Sequence, residues 1–142
     1  ARLFRPLISL SPVGRIDGEL EGLIAGLRRT KKKTGERWSV EFVLQQIMSG
    51  RCFLFRLHDG DKHLAYAVIE RYEQGDGAWL NVWALAGSIG ADRAEEVVMC
   101  LDELAGKAGA MAWRFSGRHG WGRALGGMVK PVATVYEREL HA

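Results

Sequence analysis

Residues 78–117 read AWLNVWALAGSIGADRAEEVVMCLDELAGKAGAMAWRFSG, which places an apolar strand, a glycine-bearing loop, an amphipathic helix and a second apolar strand in immediate succession. A helix, and not a hairpin turn, separates the two strands, so they are expected to be parallel and joined by a right-handed crossover. The first of them, Trp79 to Ala86, is apolar on both faces apart from Asn81, the pattern of a strand in the middle of a covered sheet. In the helix, Ala94, Val97, Leu101, Leu104 and Ala108 make the buried stripe, Asp92 and Glu95 stand at capping-box spacing, and Gly109 ends it. The loop Gly87-Ser88-Ile89-Gly90-Ala91-Asp92 opens that helix. A turn of this kind sets backbone N–H groups and a helix N-terminus where an anionic cofactor would sit, which makes it the first candidate for a functional site.

Working outward, the period is two from Arg51 to Ala86, with turn residues at His58-Asp59-Gly60-Asp61 and Gln74-Gly75-Asp76-Gly77. Three strands joined as an antiparallel meander are implied, near Cys52 to Leu57, His63 to Tyr72 and Trp79 to Ala86. Upstream, Ser39 is the expected N-cap of a helix that buries Val40, Val43, Leu44, Ile47 and Met48 and ends at Gly50, with Trp38 stapled onto Val43. Before it, Ile16, Leu20, Leu23, Ile24 and Leu27 recur at helical spacing, with acidic residues early and Arg28 and Arg29 late, as the helix dipole favours. Leu3 to Leu10 contains Pro6 and suits an edge strand, followed by a turn at Ser11 to Gly14. Downstream, Ala110 to Phe115 reads as a strand, Gly117 to Leu125 as a short helical turn, and Val132 to Leu140 as a final strand.

The chain has 142 residues, 47% apolar and 26% charged, which fits one domain over 1–142 and argues against disorder. No apolar run reaches the ~20 residues that span a bilayer, and Arg2, Arg5 and Pro6 interrupt any signal-peptide core, so a cytoplasmic protein is expected. Cys52 and Cys100 have no metal-like spacing and are read as reduced packing residues. Of the net +3, residues 28–37 contribute +5, leaving the remainder at −2. This basic stretch, Arg28, Arg29, Lys31, Lys32 and Lys33 among them, lacks aromatic residues for base stacking. It is read as a solvated helix end and loop, with a nucleic-acid contact as the alternative. His58 and His63 flank a polar hairpin tip with no further ligand at metal spacing, so no metal is expected. Trp79, Trp83 and Trp113 alternate along strands as core residues do, and Arg114, Arg118 and Arg123 gather near the second glycine-rich turn.

The order of elements resembles the GNAT fold of acetyl-CoA-dependent N-acetyltransferases over essentially the whole chain. That resemblance implies an α+β protein with a mixed central sheet of about six strands flanked by three to four helices. Phe115-Ser116-Gly117-Arg118-His119-Gly120-Trp121, with a tail ending Tyr136-Glu137-Arg138-Glu139-Leu140, is similar to small phage-encoded GNAT-like proteins that carry a Gly-Arg-x-Gly-Trp motif. It implies a phage origin, a host cytoplasmic or virion-associated location, and a phage or host protein as partner. In the family a Gln/Arg-x-x-Gly-x-Gly/Ala loop binds the cofactor diphosphate. Here Gly87 stands at the Gln/Arg position, Gly90 matches, and Asp92 replaces the last Gly or Ala. The resemblance therefore assigns acetyl-CoA to Asn81, Trp83 and Leu85 through strand backbone and to Gly87, Ser88, Gly90 and Ala91 through the loop.

Acyl transfer to an amine needs a general base and a proton donor for the departing thiolate. Glu70 is the candidate base and Tyr72 or Tyr66 the candidate donor; the helix after the fifth strand, which carries a tyrosine in many family members, offers Trp121 and His119 here. Two functions follow: an acetyltransferase acting on an amine, or a non-catalytic protein of the same fold used in virion assembly or as a protein-binding module.

Overall fold

The computed structural model describes residues 8–35, 37–87, 89–116, 125, 127–133 and 136–140, with the side chain of Ala91 outside that description. Five strands form one sheet in the order β1(Ser9–Pro12), β2(Phe53–Asp59), β3(Lys62–Gln74), β4(Gly77–Gly87) and β5(Ala112–Phe115). β1 to β4 are antiparallel neighbours and β5 runs parallel to β4, as the crossover pattern predicts. Three α-helices cover it: α1(Leu20–Thr34), α2(Val40–Met48) and α3(Ala94–Lys107). The architecture is the expected mixed α+β one, with two helices on one face and α3 on the other.

The two faces carry separate cores. Val97, Leu101 and Ala105 of α3 pack on Leu57, Ala65, Ala67, Ile69, Leu80 and Val82, while Leu23 and Leu27 of α1 and Val40 and Val43 of α2 pack on Leu54, Tyr66, Val68, Ala84 and Ala86. Each fully buried leucine or valine removes enough apolar surface to contribute roughly 1.5–3 kcal/mol. Leu80, Val82, Ala84 and Ala86 are all even-numbered, yet the first two face α3 and the last two face α1. The register explains this: Ile69 pairs with Val82 but Val68 pairs with Ala84, so Trp83 is an extra residue that reverses the alternation of β4.

Ser39 caps α2 by accepting a hydrogen bond from the Phe42 N–H at 3.1 Å, as expected, and Trp38 packs against the core cluster that contains Val43. Gly35, at φ 69°, ends α1 in the left-handed region, which lets its N–H reach the Lys31 carbonyl. Several expectations are corrected. The first strand lies at Ser9–Pro12, where the end of the expected strand at Ser9 and Leu10 runs on through Ser11 and Pro12 of the expected turn, because Leu10 faces the α3-side core and Ile8 seals its end; residues 1–7 lie outside the description. α1 continues through the basic stretch to Thr34, so Arg28 to Lys33 are helical and not a loop. Asp92 and Glu95 form no capping box, since a 3₁₀ turn at Ala91–Arg93 makes Arg93 the N-cap residue of α3 without a side-chain cap. The described part of 132–140 is not a strand. Tyr136 and Leu140 there are 90% and 76% exposed, so the stretch buries no apolar face that would hold it in a sheet. The helical turn expected at 117–124 lies outside the described residues.

Gly87 sits where β3 and β4 approach most closely. A Cβ there would overlap the Leu64 carbonyl oxygen and lie 2.6 Å from Ala65 Cα, whereas one on Gly106 in α3 would meet nothing within 4 Å. Gly87→Ala is therefore expected to lower unfolding stability by about 1–3 kcal/mol, and Gly106→Ala to raise it by about 0.5–1 kcal/mol, both read from urea midpoints.

Candidate functional site

The parallel pairing of β4 with β5 covers only Trp79 with Ala112 through Val82 with Phe115. β4 then runs on to Gly87, held on its other side by Ala65 to Val68 of β3. Along residues 83–87 the backbone groups that point away from β3 pair with no other described strand. The result is a backbone-lined gap that starts at Trp83 and opens toward the loop before α3. Of the residues assigned to the thioester arm, Leu85 packs on the α3 side, while Asn81 and Trp83 face α1 and α2.

At the neck of this gap, on the α1/α2 face, an aromatic cluster whose Phe42 and Tyr72 are exposed flanks one half-buried carboxylate. Glu70 lies opposite Asn81, and its Oε1 accepts a 3.0 Å hydrogen bond from Trp83 Nε1. Phe42 of α2 stacks on Trp83 with ring centroids 5.8 Å apart, Tyr72 stacks on Trp79 at 5.9 Å, and the Arg114 guanidinium lies over the Trp79 ring at 4.6 Å. Burial, followed by the Glu70 charge and a hydrogen bond to Glu70, pushes the Tyr72 hydroxyl above its usual range. Burial and then the same carboxylate push the Cys52 thiol up to about 11, which leaves it a neutral packing group. Glu70 thus joins a protonated phenol to the extra residue at the neck. Phe42 was not singled out by sequence, because in the apolar pattern of α2 it is only the neighbour of Val43.

The helix end is less accommodating to an anion. Gly87 has no room for the Gln or Arg side chain that its position carries in the family. Asp92, Glu95 and Glu96 gather at the start of α3, with Arg93 among them. The Arg93 guanidinium is turned away onto Asp59, with Nη1 donating to Oδ2 at 2.6 Å, and onto Glu96, with Nε donating to Oε2 at 2.8 Å and Nη2 to Oε1 at 2.9 Å. Glu96 Oε1 also accepts the Ile8 N–H at 3.2 Å. These bonds hold Arg93 charged and buried, binding the start of α3 to the β2–β3 hairpin and β1. Sequence could not signal this role, since Asp59 is 34 residues away. A Cβ on Gly90 would collide only with Asp92 Oδ1, the end of a side chain that can rotate. Ser88, His119 and the Gly-Arg-x-Gly-Trp motif lie outside the described residues.

Other candidates go elsewhere. Tyr66, opposite Ala86, donates its hydroxyl proton to Glu19 on the α1 side. His63 accepts from Arg56 Nε at 3.2 Å and tilts against Tyr66, and Asp59 is taken by Arg93. Trp113 Nε1 donates to Asp102 at 2.8 Å, tying β5 to α3. Arg28, Lys31 and Lys32 line a groove of about 560 Å³ between α1 and α2, where Arg37 binds Glu137 at 2.5 Å and Glu139 at 2.9 Å from the C-terminal stretch. Among the described residues no group of three or more His, Cys, Asp or Glu could hold a metal ion, and no helix is long and apolar enough to cross a membrane.

No protein-family model and no curated protein sequence matches the chain. Solved structures do. An aminoglycoside acetyltransferase from an uncultured soil metagenomic sample, in complex with sisomicin, superposes with a TM-score of 0.65 at 10% identity over 95% of this chain and 97% of that one. A GNAT family acetyltransferase from Staphylococcus aureus gives 0.64 at 10% identity over 94% and 99% of the two chains. A possible acetyltransferase from Clostridium difficile gives 0.60 at 14% identity over 96% and 99%. The fold is that of the GNAT acetyltransferases.

Burial, then the hydrogen bond to Glu19 and its charge, raise the Tyr66 hydroxyl from 10.0 to about 12. A folded-state value above the unfolded one means the native state holds its proton longer, so the stability this group supplies is full below pH 10 and lost as pH rises toward 12. Two pH units correspond to about 2–3 kcal/mol. The stability difference between the wild type and Tyr66→Phe is expected to shrink by that order between pH 9.5 and pH 12, measured by urea unfolding.

Proposed function

We propose that the chain is an acetyl-CoA-dependent N-acetyltransferase whose thioester arm lies along the open edge of β4 and whose amine acceptor approaches from the α1/α2 face. The observation that carries this reading is the coincidence of the extra residue Trp83, the end of β4–β5 pairing at Val82 and Phe115, and the Glu70–Trp83 hydrogen bond at the same neck. When bound, acetyl-CoA supplies an activated acetyl group and a thiolate leaving group. The N–H and C=O groups along 83–87 that pair with no other described strand suit an amide-bearing arm, which pairs with a strand edge as another strand would. The helix end fits the diphosphate less well, because Arg93 is committed to Asp59 and Glu96 and acidic side chains surround it. Backbone donors of the loop would carry that end, so affinity is expected to be low, with a dissociation constant on the order of 10–1000 µM.

Within this reading each residue has one task. Glu70, exposed to the cluster on one oxygen and fixed by Trp83 on the other, takes the proton of the attacking amine. Tyr72, kept protonated by its surroundings, gives its proton to the leaving sulfur and is restored from the protonated Glu70 beside it. Trp83 and Phe42 shield the neck from water. The amine acceptor rests on the fold and on the aminoglycoside-modifying relatives of that fold, one of them in complex with sisomicin.

Two observations favour a second reading. The acidic start of α3 and the closed space at Gly87 suit a GNAT-fold protein that no longer binds CoA and serves as a protein-binding module. The phage assignment and the virion or host partner belong to this reading and rest on the sequence resemblance at 115–121 and 136–140.

Calorimetric titration with acetyl-CoA separates the two. Binding in the stated range, abolished by Gly90→Glu, is expected; no heat at millimolar cofactor would leave the binding-module reading. With a responsive amine, Glu70→Gln is expected to lower kcat by about 100-fold while leaving CoA affinity within about twofold, followed by thiol release.

A further inference from the structure

We propose that Ser11 and His58 form a second, nucleophilic centre, separate from the β4–β5 gap and acylated by activated esters of small carboxylic acids. In the antiparallel pairing of β1 with β2, Ser9 lies opposite His58 and Ser11 opposite Arg56, so Ser11 and His58 are diagonal neighbours on one face of the sheet. Ser11 Oγ and His58 Nε2 are 2.7 Å apart. On the other side of the ring, His58 Nδ1 is 3.0 Å from the carbonyl oxygen of Gly60, which the left-handed turn at φ 58° aims back at the imidazole.

A carbonyl oxygen can only accept, so the neutral ring carries its proton on Nδ1. Nε2 then holds a lone pair, and the Ser11 hydroxyl donates to it. This is the order of donors and acceptors that general-base activation of a serine requires, with a backbone carbonyl in place of the third side chain. Both residues are half-buried and open onto a cavity of about 420 Å³, also lined by Arg15, Glu19, Arg56 and Asp61. Arg56 is steadied through the bond from its Nε to His63 Nδ1 at 3.2 Å. Arg15 and Arg56 line the same cavity as the carboxylates of Glu19 and Asp61, and their positive charge favours a negative oxygen formed within it.

The step balances without a cofactor. Ser11 Oγ bonds to the ester carbonyl carbon as its proton passes to His58 Nε2. The bond from that carbon to the leaving oxygen breaks, and the leaving oxygen takes the proton from Nε2, giving acyl-Ser11, an alcohol and neutral His58. Water repeats the sequence and releases the carboxylic acid. A hairpin tether alone would need the hydrogen bond, but neither the cavity nor the carbonyl-fixed tautomer.

The test treats the full chain with p-nitrophenyl acetate and, separately, with a fluorophosphonate, and locates adducts by peptide mass mapping. An adduct on Ser11 is expected, forming at least about 10-fold more slowly in His58→Gln and absent from that peptide in Ser11→Ala. Absence of an adduct on Ser11, or equal rates in His58→Gln, would overturn the proposal. Nitrogen-15 NMR of the wild-type imidazole gives a reading independent of how the variants fold. Nδ1–H with an unprotonated Nε2 is expected for His58, and the opposite tautomer contradicts the proposal. Because the probes contain no CoA, failure here leaves the acetyltransferase reading untouched, and failure of CoA binding leaves this one untouched.

Discussion

One extra residue in β4 governs how this sheet is used. Trp83 interrupts the two-residue alternation, so that Leu80 and Val82 serve the α3-side core while Ala84 and Ala86 serve the α1-side core. A bulge bends its strand and increases the local twist. The pairing with β5 ends one residue earlier, at Val82, and the backbone beyond pairs on that side with no other described strand. The small side chains past the bulge are part of the same arrangement. Gly26 of α1 comes so close to Ala86 that a Cβ on it would lie 3.0 Å from the alanine Cβ, so α1 presses on the far half of β4 through residues with almost no side chain. The groove is therefore built from backbone, with the side chains of Glu70, Trp83, Tyr72 and Phe42 at its neck.

Electrostatics sets a limit on what the groove can hold. A helix N-terminus attracts anions, but here the first residues of α3 and the preceding turn supply carboxylates of their own, and the one buried cation among the described residues spends its donors on Asp59 and Glu96. Removing one member of such a buried pair costs far more than the pair contributes, so Arg93 is better understood as a clamp between α3 and the β2–β3 hairpin than as a phosphate ligand. The acidic C-terminal stretch meets Arg37 at the opposite side, next to the basic groove on α1. Those exposed pairs are worth little in stability and mainly determine where the stretch lies.

Much of this architecture was legible in the sequence. The hairpin turns at Gly60-Asp61 and Gly75-Asp76 fix the register of the meander, Ser39 announces α2, and the helix between two apolar strands requires a parallel pair. Trp83 was named as a site residue, but not the reversal it causes, because Trp79 to Ala86 is apolar on both faces and a shift of parity leaves no mark in such a pattern. The Glu70–Trp83 bond joins residues 13 apart through that register, and the Arg93 clamp joins α3 to a hairpin 34 residues earlier; neither has a local signature. The tail at 132–140 misled for the converse reason. Its partial alternation suits a strand, but Glu137 and Glu139 meet Arg37 and no apolar face is covered.

The proposed acetyl transfer depends on β4 offering to a CoA thioester the edge at 83–87, which pairs with no other described strand. Amide hydrogen exchange of the wild-type chain, with and without saturating CoA, reads that edge residue by residue. Added protection concentrated at 83–87, with β1 to β3 unchanged, is the result the account predicts. Exchange at 83–87 that is identical with and without CoA would contradict it.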